Sequence, residues 1–176
     1  MRNPAVLVTG LPASGKSTLA RSLSRTLGMP LLSKDVVKES LFSTLGGLDR
    51  AQVSKAANDL VWALLRDCPG GALVEIWLDP RRDAGIAAEG LARAGARDAL
   101  EVMCVCPGDI AAQRYAARTR HAAHLPADEV TLQRIRDSAE LMRPLGLGPA
   151  LAVDTTRPVD IDRITRWLSA SAGHLT

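Results

Sequence analysis

The sequence is poor in aromatic residues and in cysteine. Phe, Trp and Tyr together make up 3% of the 176 residues, and there are three cysteines. So few aromatic rings leave little surface on which single-stranded bases could stack. Cys68, Cys104 and Cys106 are too few and too badly spaced for a disulfide framework, and the last two have no further ligands nearby for a metal site. We expect small buried thiols at these positions.

Long hydrophobic runs are also missing. None approaches the roughly 20 residues that a membrane-spanning helix needs. Residues 1–8 hold too short an apolar stretch for a signal peptide. Hydrophobic residues reach 47% and charged residues 23%, which excludes wholesale disorder, and 176 residues suit one hydrophobic core. The sequence therefore predicts a single cytoplasmic domain over residues 1–176.

Lysine is scarce among the basic residues. Four of the 22 are lysines, so eighteen are arginines, and the formal net charge is +3. The guanidinium group forms two-pronged hydrogen bonds with phosphates and carboxylates, although codon bias would produce the same excess. The small net charge gives little support to nucleic acid as a partner.

Segments with strand-like and helix-like patterns alternate along the chain. Residues 16–27 show the four-residue leucine spacing of an amphipathic helix that stops at Gly28. Strands separated by helices imply right-handed crossovers and a parallel sheet covered on both faces, so we predict a three-layer α/β/α fold with five parallel strands. The predicted strands are residues 5–9, 30–33, 72–76, 100–106 and 149–153, and the predicted helices are residues 16–27, 35–45, 50–67, 82–94, 109–120, 129–142 and 159–170.

A phosphate-binding loop lies between the first predicted strand and helix. Residues 10–18 read GLPASGKST and match G-x-x-x-x-G-K-[ST]. The glycines let successive backbone N–H groups converge on phosphate oxygens, and the following helix adds its positive dipole end. Lys16 then reaches the β and γ phosphates, and the Ser17 hydroxyl completes a Mg²⁺ shell. The motif predicts binding of ATP with Mg²⁺ through Gly10, Pro12, Ala13, Ser14, Gly15, Lys16, Ser17 and Thr18.

The rest of the chain narrows the class of P-loop NTPase. A GTPase should carry N-K-x-D or T-K-x-D for guanine, and neither occurs. Residues 67–70 fit D-x-x-G but precede a predicted strand, so we interpret them as a helix terminus. A large AAA-type motor needs an additional helical domain, for which 176 residues leave no room. The length suits a small kinase that moves the γ-phosphoryl group of ATP.

Two segments resemble a known group of proteins. Residues 10–21, GLPASGKSTLAR, followed by residues 32–39, LSKDVVKE, are similar to the small P-loop kinases named "AAA family ATPase". That group is similar to chloramphenicol phosphotransferase and to the kinase domain of polynucleotide kinase, and more distantly to gluconate kinase and zeta toxin. The resemblance covers most of the chain in the order of its elements and is specific over the first 40 residues. It implies an ATP-dependent phosphotransferase.

Asp35 is the candidate general base. It follows the second predicted strand, at the carboxyl edge of the sheet where ligands of open α/β folds bind. Phosphoryl transfer needs a carboxylate that orients the attacking hydroxyl and accepts its proton, and the resemblance implies this role for Asp35. Aspartate before a helix is also a good N-cap, and both roles can hold together. Lys38, one turn on, could bind an acidic acceptor, steady Asp35 or be a solvated lysine, and the similar kinases often have arginine here.

Glu75 ends the hydrophobic run of the third predicted strand, as a Walker-B-like acid would. A glutamate in a strand buried on both faces is costly without a partner, which favours a role in Mg²⁺ binding through water or in acceptor binding. The similar kinases usually have aspartate for the metal role. Trp77 and Asp79 follow and could line the acceptor pocket, although core packing is an equal interpretation for Trp77.

An arginine cluster lies at the end of the helix predicted over 109–120. Arg114 and Arg118 are four residues apart and would share a helix face. The pattern resembles the lid of the similar kinases, which implies a lid over residues 114–128 whose arginines, Arg118 above all, neutralise the transferring phosphoryl group and exclude water. A solvated basic helix face is the alternative.

The loop after the last predicted strand, residues 154–158, resembles the adenine-side loop of the same kinases. It implies a nucleotide contact at Thr155, where a plain strand-to-helix turn fits nearly as well.

Three hypotheses about function follow. The first is a Mg²⁺- and ATP-dependent kinase, monomer or homodimer, that phosphorylates a hydroxyl of a small molecule such as an antibiotic, a sugar or a nucleoside. The second changes the acceptor to the 5′-hydroxyl of a polynucleotide. The third is a nucleotide-binding switch or toxin-like module that transfers no phosphate.

Overall fold

Five parallel strands form the centre of the structure, a computed structural model that describes residues 5–79, 83, 85–96 and 99–172. The strands are β1 (Ala5–Gly10), β2 (Leu31–Ser33), β3 (Ala72–Glu75), β4 (Leu100–Val105) and β5 (Ala150–Asp154). They lie in the order β2-β3-β1-β4-β5. In this register Glu75 pairs with both Val8 and Ser33, and Gly10 pairs with Cys104. The predicted parallel five-stranded sheet is confirmed, and it brings the carboxyl ends of β1, β2 and β3 together.

The helices follow the predicted order. They are α1 (Lys16–Leu27), α2 (Lys34–Leu45), α3 (Arg50–Arg66), α4 (Ile86–Arg93), α5 (Gly108–Ala116), α6 (Glu129–Ala139) and α7 (Ile161–Ala172). α1 has the predicted bounds, because Leu19 and Leu23 are buried and Gly28 ends it with a φ of 64°. Part of the helix predicted over 82–94 lies outside the described residues. None of the helices in the described part of the chain is long and apolar enough to cross a membrane.

The prediction for α5 was wrong at its end. The helix stops at Ala116 instead of residue 120, so Arg114 lies on it and Arg118 lies beyond it. The guanidinium carbon of Arg120 stacks 3.8 Å from the centroid of the Tyr115 ring, which requires the chain to turn back over its own helix. This contact holds the chain that follows α5 against the end of the helix, and the predicted shared helix face of Arg114 and Arg118 does not form.

Two hydrophobic clusters cover the two faces of the sheet. Because successive strand residues point to opposite faces, Leu7 and Val8 enter different clusters. The first cluster packs α3 and α4 on the sheet through buried Val61, Trp62, Leu65, Ala87 and Leu91. The second packs α1 and α7 through buried Leu19, Ala20, Leu23, Ile164 and Leu168. The three-layer architecture is therefore confirmed.

Gly90 supports the first cluster by lacking a side chain. A Cβ at this position would lie 2.2 Å from a ring carbon of Trp62, which is buried. Overpacking costs about 1–3 kcal/mol, and a methyl placed inside an indole ring should reach the upper end of that range. This exceeds the gain of about 1 kcal/mol for alanine over glycine in a helix. We expect Gly90→Ala to lower the free energy of unfolding by about 1–2 kcal/mol in urea denaturation.

Gly70 provides the matched control for that substitution. No atom lies within 4 Å of a Cβ built there. Gly70→Ala should therefore change the free energy of unfolding by less than about 0.5 kcal/mol. Equal effects of the two substitutions would contradict the packing of Gly90 against Trp62.

The cysteines are free thiols. Cys104, in β4, is buried, whereas Cys68 and Cys106 are half-buried. Burial raises the pKa of the Cys104 thiol to about 12, so this thiol stays protonated at neutral pH. Among the described residues no group of three or more His, Cys, Asp or Glu side chains could hold a metal ion. Cys104 is thus a small apolar core residue, as the sequence predicts.

Candidate active site

The loop between β1 and α1 is bent by residues with positive φ. Gly10, Ala13 and Gly15 have φ values of 136°, 60° and 96°. A Cβ at Gly10 would lie 2.5 Å from the Cys104 carbonyl oxygen, so only glycine fits there. The buried Ser14 hydroxyl has no hydrogen-bond partner in the described part of the chain. A bent loop at a helix N-terminus with an unpaired buried donor fits an anion such as phosphate.

Lys16 lies over this loop. Its Nζ donates a hydrogen bond of 2.7 Å to the Leu11 carbonyl oxygen, and its side chain is buried. The ammonium is therefore held at the mouth of the loop by a neutral acceptor. An incoming phosphate would offer a charged acceptor in its place, and charge-assisted hydrogen bonds are the stronger ones.

Glu75 joins the ends of β2 and β3 to the loop. The Ser17 hydroxyl donates a hydrogen bond of 2.6 Å to Glu75 Oε1, and the Ser33 hydroxyl donates one of 2.6 Å to Oε2. Glu75 is 3% exposed, so these two hydroxyls are the partners that its burial requires. Hydroxyl and carboxylate oxygens are also the donors that Mg²⁺ prefers. The residues present therefore fit a Mg²⁺ ion held through Ser17 and Glu75.

Ser33 is a site residue that sequence reasoning missed. It pairs with Glu75 across the β2–β3 register and also forms the N-cap of α2, where its hydroxyl accepts a hydrogen bond of 3.5 Å from the Val36 N–H. The sequence signal was the serine at the end of a strand and the start of a helix. Because Ser33 is the cap, the interpretation of Asp35 as the N-cap was wrong.

Asp35 lies in the first turn of α2 and faces a cavity of about 700 Å³. The same cavity is lined by Lys16 and Ser17 of the loop and by Arg118 and Lys38. Burial lowers the pKa of the Lys38 ammonium, Asp35 opposes that shift, and Arg50 adds to it. Asp35, the predicted base, therefore lines the same cavity as Lys16 and the basic side chains of Lys38 and Arg118.

The remaining predicted residues lie on and behind that cavity. Trp77 lines it and also packs on the cluster around Leu11 and Tyr115, so both interpretations of Trp77 hold. Pro12, Ala13, Gly15 and Thr18 line it as well, whereas Gly10, Ser14, Glu75, Arg114 and Thr155 lie outside its lining. Asp79 is buried against Arg134, with 2.7 Å between Oδ2 and the guanidinium nitrogen.

Thr155, which follows β5, forms a hydrogen bond with the phosphate-binding loop. Its single hydroxyl proton is shared between the Ser14 carbonyl at 2.6 Å and the Val105 carbonyl at 3.1 Å. A terminal nitrogen of Arg114 donates one of 3.0 Å to the Thr155 carbonyl. Arg114 and Thr155 therefore support the loop from outside the cavity.

Thr155→Val removes both hydroxyl hydrogen bonds and leaves the Ser14 carbonyl without that donor. A neutral hydrogen bond contributes about 1 kcal/mol, and Ser14 belongs to the loop that should hold phosphate. We expect the Kd for a non-hydrolysable ATP analogue, measured calorimetrically, to rise about 5-fold. The control is Thr156→Val, because the exposed Thr156 hydroxyl binds Asp154 in the same turn. A similar Kd for both variants would contradict the support role of Thr155.

Residues 117–125 are attached to α2 and close one side of the cavity. His124 Nε2 lies 2.7 Å from Glu39 Oε1, and His121 Nε2 lies 3.0 Å from Ser43 Oγ. Arg50 of α3 donates a hydrogen bond of 2.9 Å to the Ala122 carbonyl. No sequence signal indicated these histidine contacts, because they join segments about 80 residues apart.

Comparisons with known proteins agree with this architecture. The family model for the AAA domain matches residues 6–142. A solved structure from Chloroflexus aurantiacus, provisionally described as a kinase, superposes with a TM-score of 0.83 at 28% identity and covers 97% of this chain and 99% of its own. None of the curated protein sequences is significantly similar to this chain.

Two more distant solved structures share the fold. Shikimate kinase from Acinetobacter baumannii, solved with shikimate, has a TM-score of 0.64 at 20% identity and covers 98% of this chain and 94% of its own. A gluconokinase from Sinorhizobium meliloti 1021 has a TM-score of 0.60 at 18% identity and covers 99% of this chain and 95% of its own. The three-layer P-loop fold predicted from the sequence is confirmed.

Proposed function

The chain belongs to the AAA domain family, and from that membership and the cavity beside its phosphate-binding loop we propose that it is an ATP-dependent kinase that phosphorylates a hydroxyl of a small molecule. The observation that supports the proposal most is the cavity shared by Asp35, Lys16 and Ser17. A nucleotide-binding switch needs the loop but not a carboxylate facing it. The names of the similar structures, shikimate kinase and gluconokinase among them, agree with phosphoryl transfer to small molecules.

The loop and Lys16 bind the phosphates of ATP. The backbone N–H groups around Gly15 and the positive end of α1 bind the phosphate oxygens. The Lys16 ammonium releases its hydrogen bond to the Leu11 carbonyl and donates to a phosphate oxygen instead. Ser17 and Glu75 would hold Mg²⁺. When bound, Mg²⁺ neutralises charge on the β and γ phosphates.

Asp35 activates the acceptor. Its carboxylate accepts the proton of the acceptor hydroxyl, whose oxygen attacks the γ-phosphorus while the bond to the β–γ bridging oxygen breaks. The products are ADP and a phosphate monoester. Lys16 and Arg118 stabilise the charge on the transferring group. We propose that residues 1–176 act as one kinase domain with a lid over 114–128, as a monomer or homodimer in the cytoplasm.

Transfer of label from γ-labelled ATP tests the proposal. The wild-type protein is incubated with Mg²⁺ and a panel of sugars, hydroxy acids, nucleosides and antibiotics, and separately with an oligonucleotide that has a free 5′-hydroxyl. We expect label in a small molecule and none after chelation of Mg²⁺ with EDTA. Label in the oligonucleotide alone would replace the proposal with a polynucleotide kinase, and ATP binding without transfer to any acceptor would replace it with a switch.

A further inference from the structure

The cavity beside Asp35 is strongly basic. Nine lysine and arginine side chains line it, against two aspartates, Asp35 and Asp83, and two of the nine, Lys55 and Arg134, form ion pairs with aspartates outside the lining. Lys16 and Arg118 suffice for the γ-phosphoryl group of ATP in the proposed mechanism. The cations on the α2 and α3 side, Lys38 and Arg50, line the cavity together with Asp35.

Arg120 lines this cavity and has an unmatched hydrogen-bonding edge. Its Nε and Nη2 atoms are buried and have no hydrogen-bond partner in the described ranges. These two nitrogens form the side-on edge of a guanidinium group, whose parallel N–H groups match two oxygens of one carboxylate or phosphate. Buried donors without a partner are costly, so a ligand oxygen pair is the natural complement.

The guanidinium of Arg120 is held against an aromatic ring. It stacks 3.8 Å above the centroid of the Tyr115 ring, and the Tyr115 hydroxyl donates a hydrogen bond of 2.9 Å to the Leu125 carbonyl. Stacking fixes the plane of the guanidinium, and its Nε–Nη2 edge keeps its hydrogen-bonding capacity unused in the described ranges. Burial lowers the pKa of Arg120, while Tyr115 and Asp35 raise it, so Arg120 lies within electrostatic reach of the proposed base.

We propose that the acceptor carries an oxyanion, a carboxylate or phosphate group, that Arg120 binds through Nε and Nη2 with Lys38 beside it, so that a hydroxyl of the same molecule meets Asp35. The proposal rests on the proposed kinase function and specifies its substrate class. Lys38 lies one turn after Asp35 on α2 and lines the same cavity, which places a second cation next to the base. Neutral hydroxyl compounds would leave the Nε and Nη2 donors of Arg120 without an acceptor.

Matched pairs of compounds test the proposal by binding and by transfer. The pairs are gluconate and glucose, glycerate and glycerol, and ribose 5-phosphate and ribose. Binding is measured by saturation-transfer NMR with the loop filled by a non-hydrolysable ATP analogue and Mg²⁺. We expect binding of anionic members and none of their neutral partners. The carboxylate pairs and the phosphate pair distinguish the two sources of the oxyanion.

Variants then locate the anion site. Arg120→Gln should raise the acceptor KM by about 10–100-fold and leave the KM for ATP unchanged, whereas Arg120→Lys should lose part of that affinity because it keeps the charge without the two-pronged edge. Arg163→Gln, at an exposed position of α7, is the control and should change neither KM.

The outcomes separate the two proposals. Three results would overturn the oxyanion site. Neutral members could bind as well as anionic ones, no compound in the panel could bind, or acceptor binding could be unchanged in Arg120→Gln. Anion binding lost in Arg120→Gln, without phosphoryl transfer, would overturn the kinase and leave the anion site standing.

Discussion

Replacement of Asp35 by asparagine should reduce kcat for phosphoryl transfer by about 10²–10⁴-fold. Asparagine has the size of aspartate but cannot accept the proton of the acceptor hydroxyl. Asp35 lies in the first turn of α2 and lines the cavity, and it is not the helix cap, because Ser33 is. The fold, the ATP affinity and the thermal midpoint should therefore stay close to wild type.

The matched control for Asp35→Asn is Asp162→Asn. Asp162 also lies in the first turn of a helix, α7, but is exposed and does not line the cavity. Both variants lose one negative charge near a helix N-terminus, so the control removes the general effect on the helix dipole. A kcat of wild-type size in Asp35→Asn would contradict its assignment as the base.

Replacement of Lys16 by methionine should reduce kcat/KM for transfer by about 10²–10³-fold, because it removes a positioned donor from the γ-phosphoryl group. Methionine retains most of the length of the buried lysine chain and loses only the ammonium, whose described hydrogen bond goes to the Leu11 carbonyl. Unlike Asp35→Asn, the Lys16 variant should also bind ATP more weakly, as calorimetry would show.

Arg25→Met is the control for the Lys16 substitution. Arg25 lies in the last turn of the same helix, α1, and is exposed. The Arg25→Met substitution removes one positive charge at the end of α1 that lies away from the phosphate-binding loop. If both variants kept wild-type ATP affinity, the role of Lys16 in phosphate binding would be excluded.

Local patterns predicted the loop and its helix well. The motif over residues 10–18, the leucine spacing and Gly28 are all contained in one short segment, and α1 has the predicted bounds. The strand ends were predicted to within one residue for the same reason, since an apolar run between turn residues is itself local. Asp35 could be placed at the sheet edge because it directly follows a strand.

Contacts between distant segments could not be predicted in the same way. The bond from Ser33 to Glu75 depends on the β2–β3 register, which joins residues 42 positions apart. The contact of His124 with Glu39, which joins residues 117–125 to α2, spans 85 positions. The basic side chains of the cavity come from separate segments, among them α2, α3 and residues 117–125. Only the fold brings these segments together, so the sequence alone did not favour an anionic acceptor.

Phosphorus NMR tests the central claim most directly. The claim is that the γ-phosphoryl group of ATP is transferred to a hydroxyl held beside Asp35. Wild-type protein, ATP, Mg²⁺ and each panel acceptor are followed until the ATP is consumed, with Asp35→Asn in parallel. We predict that the γ-phosphate signal is replaced one for one by a phosphate monoester signal with one acceptor, and that the variant forms at most about a hundredth as much in the same time. Release of inorganic phosphate alone, or equal monoester formation by Asp35→Asn, would contradict the claim.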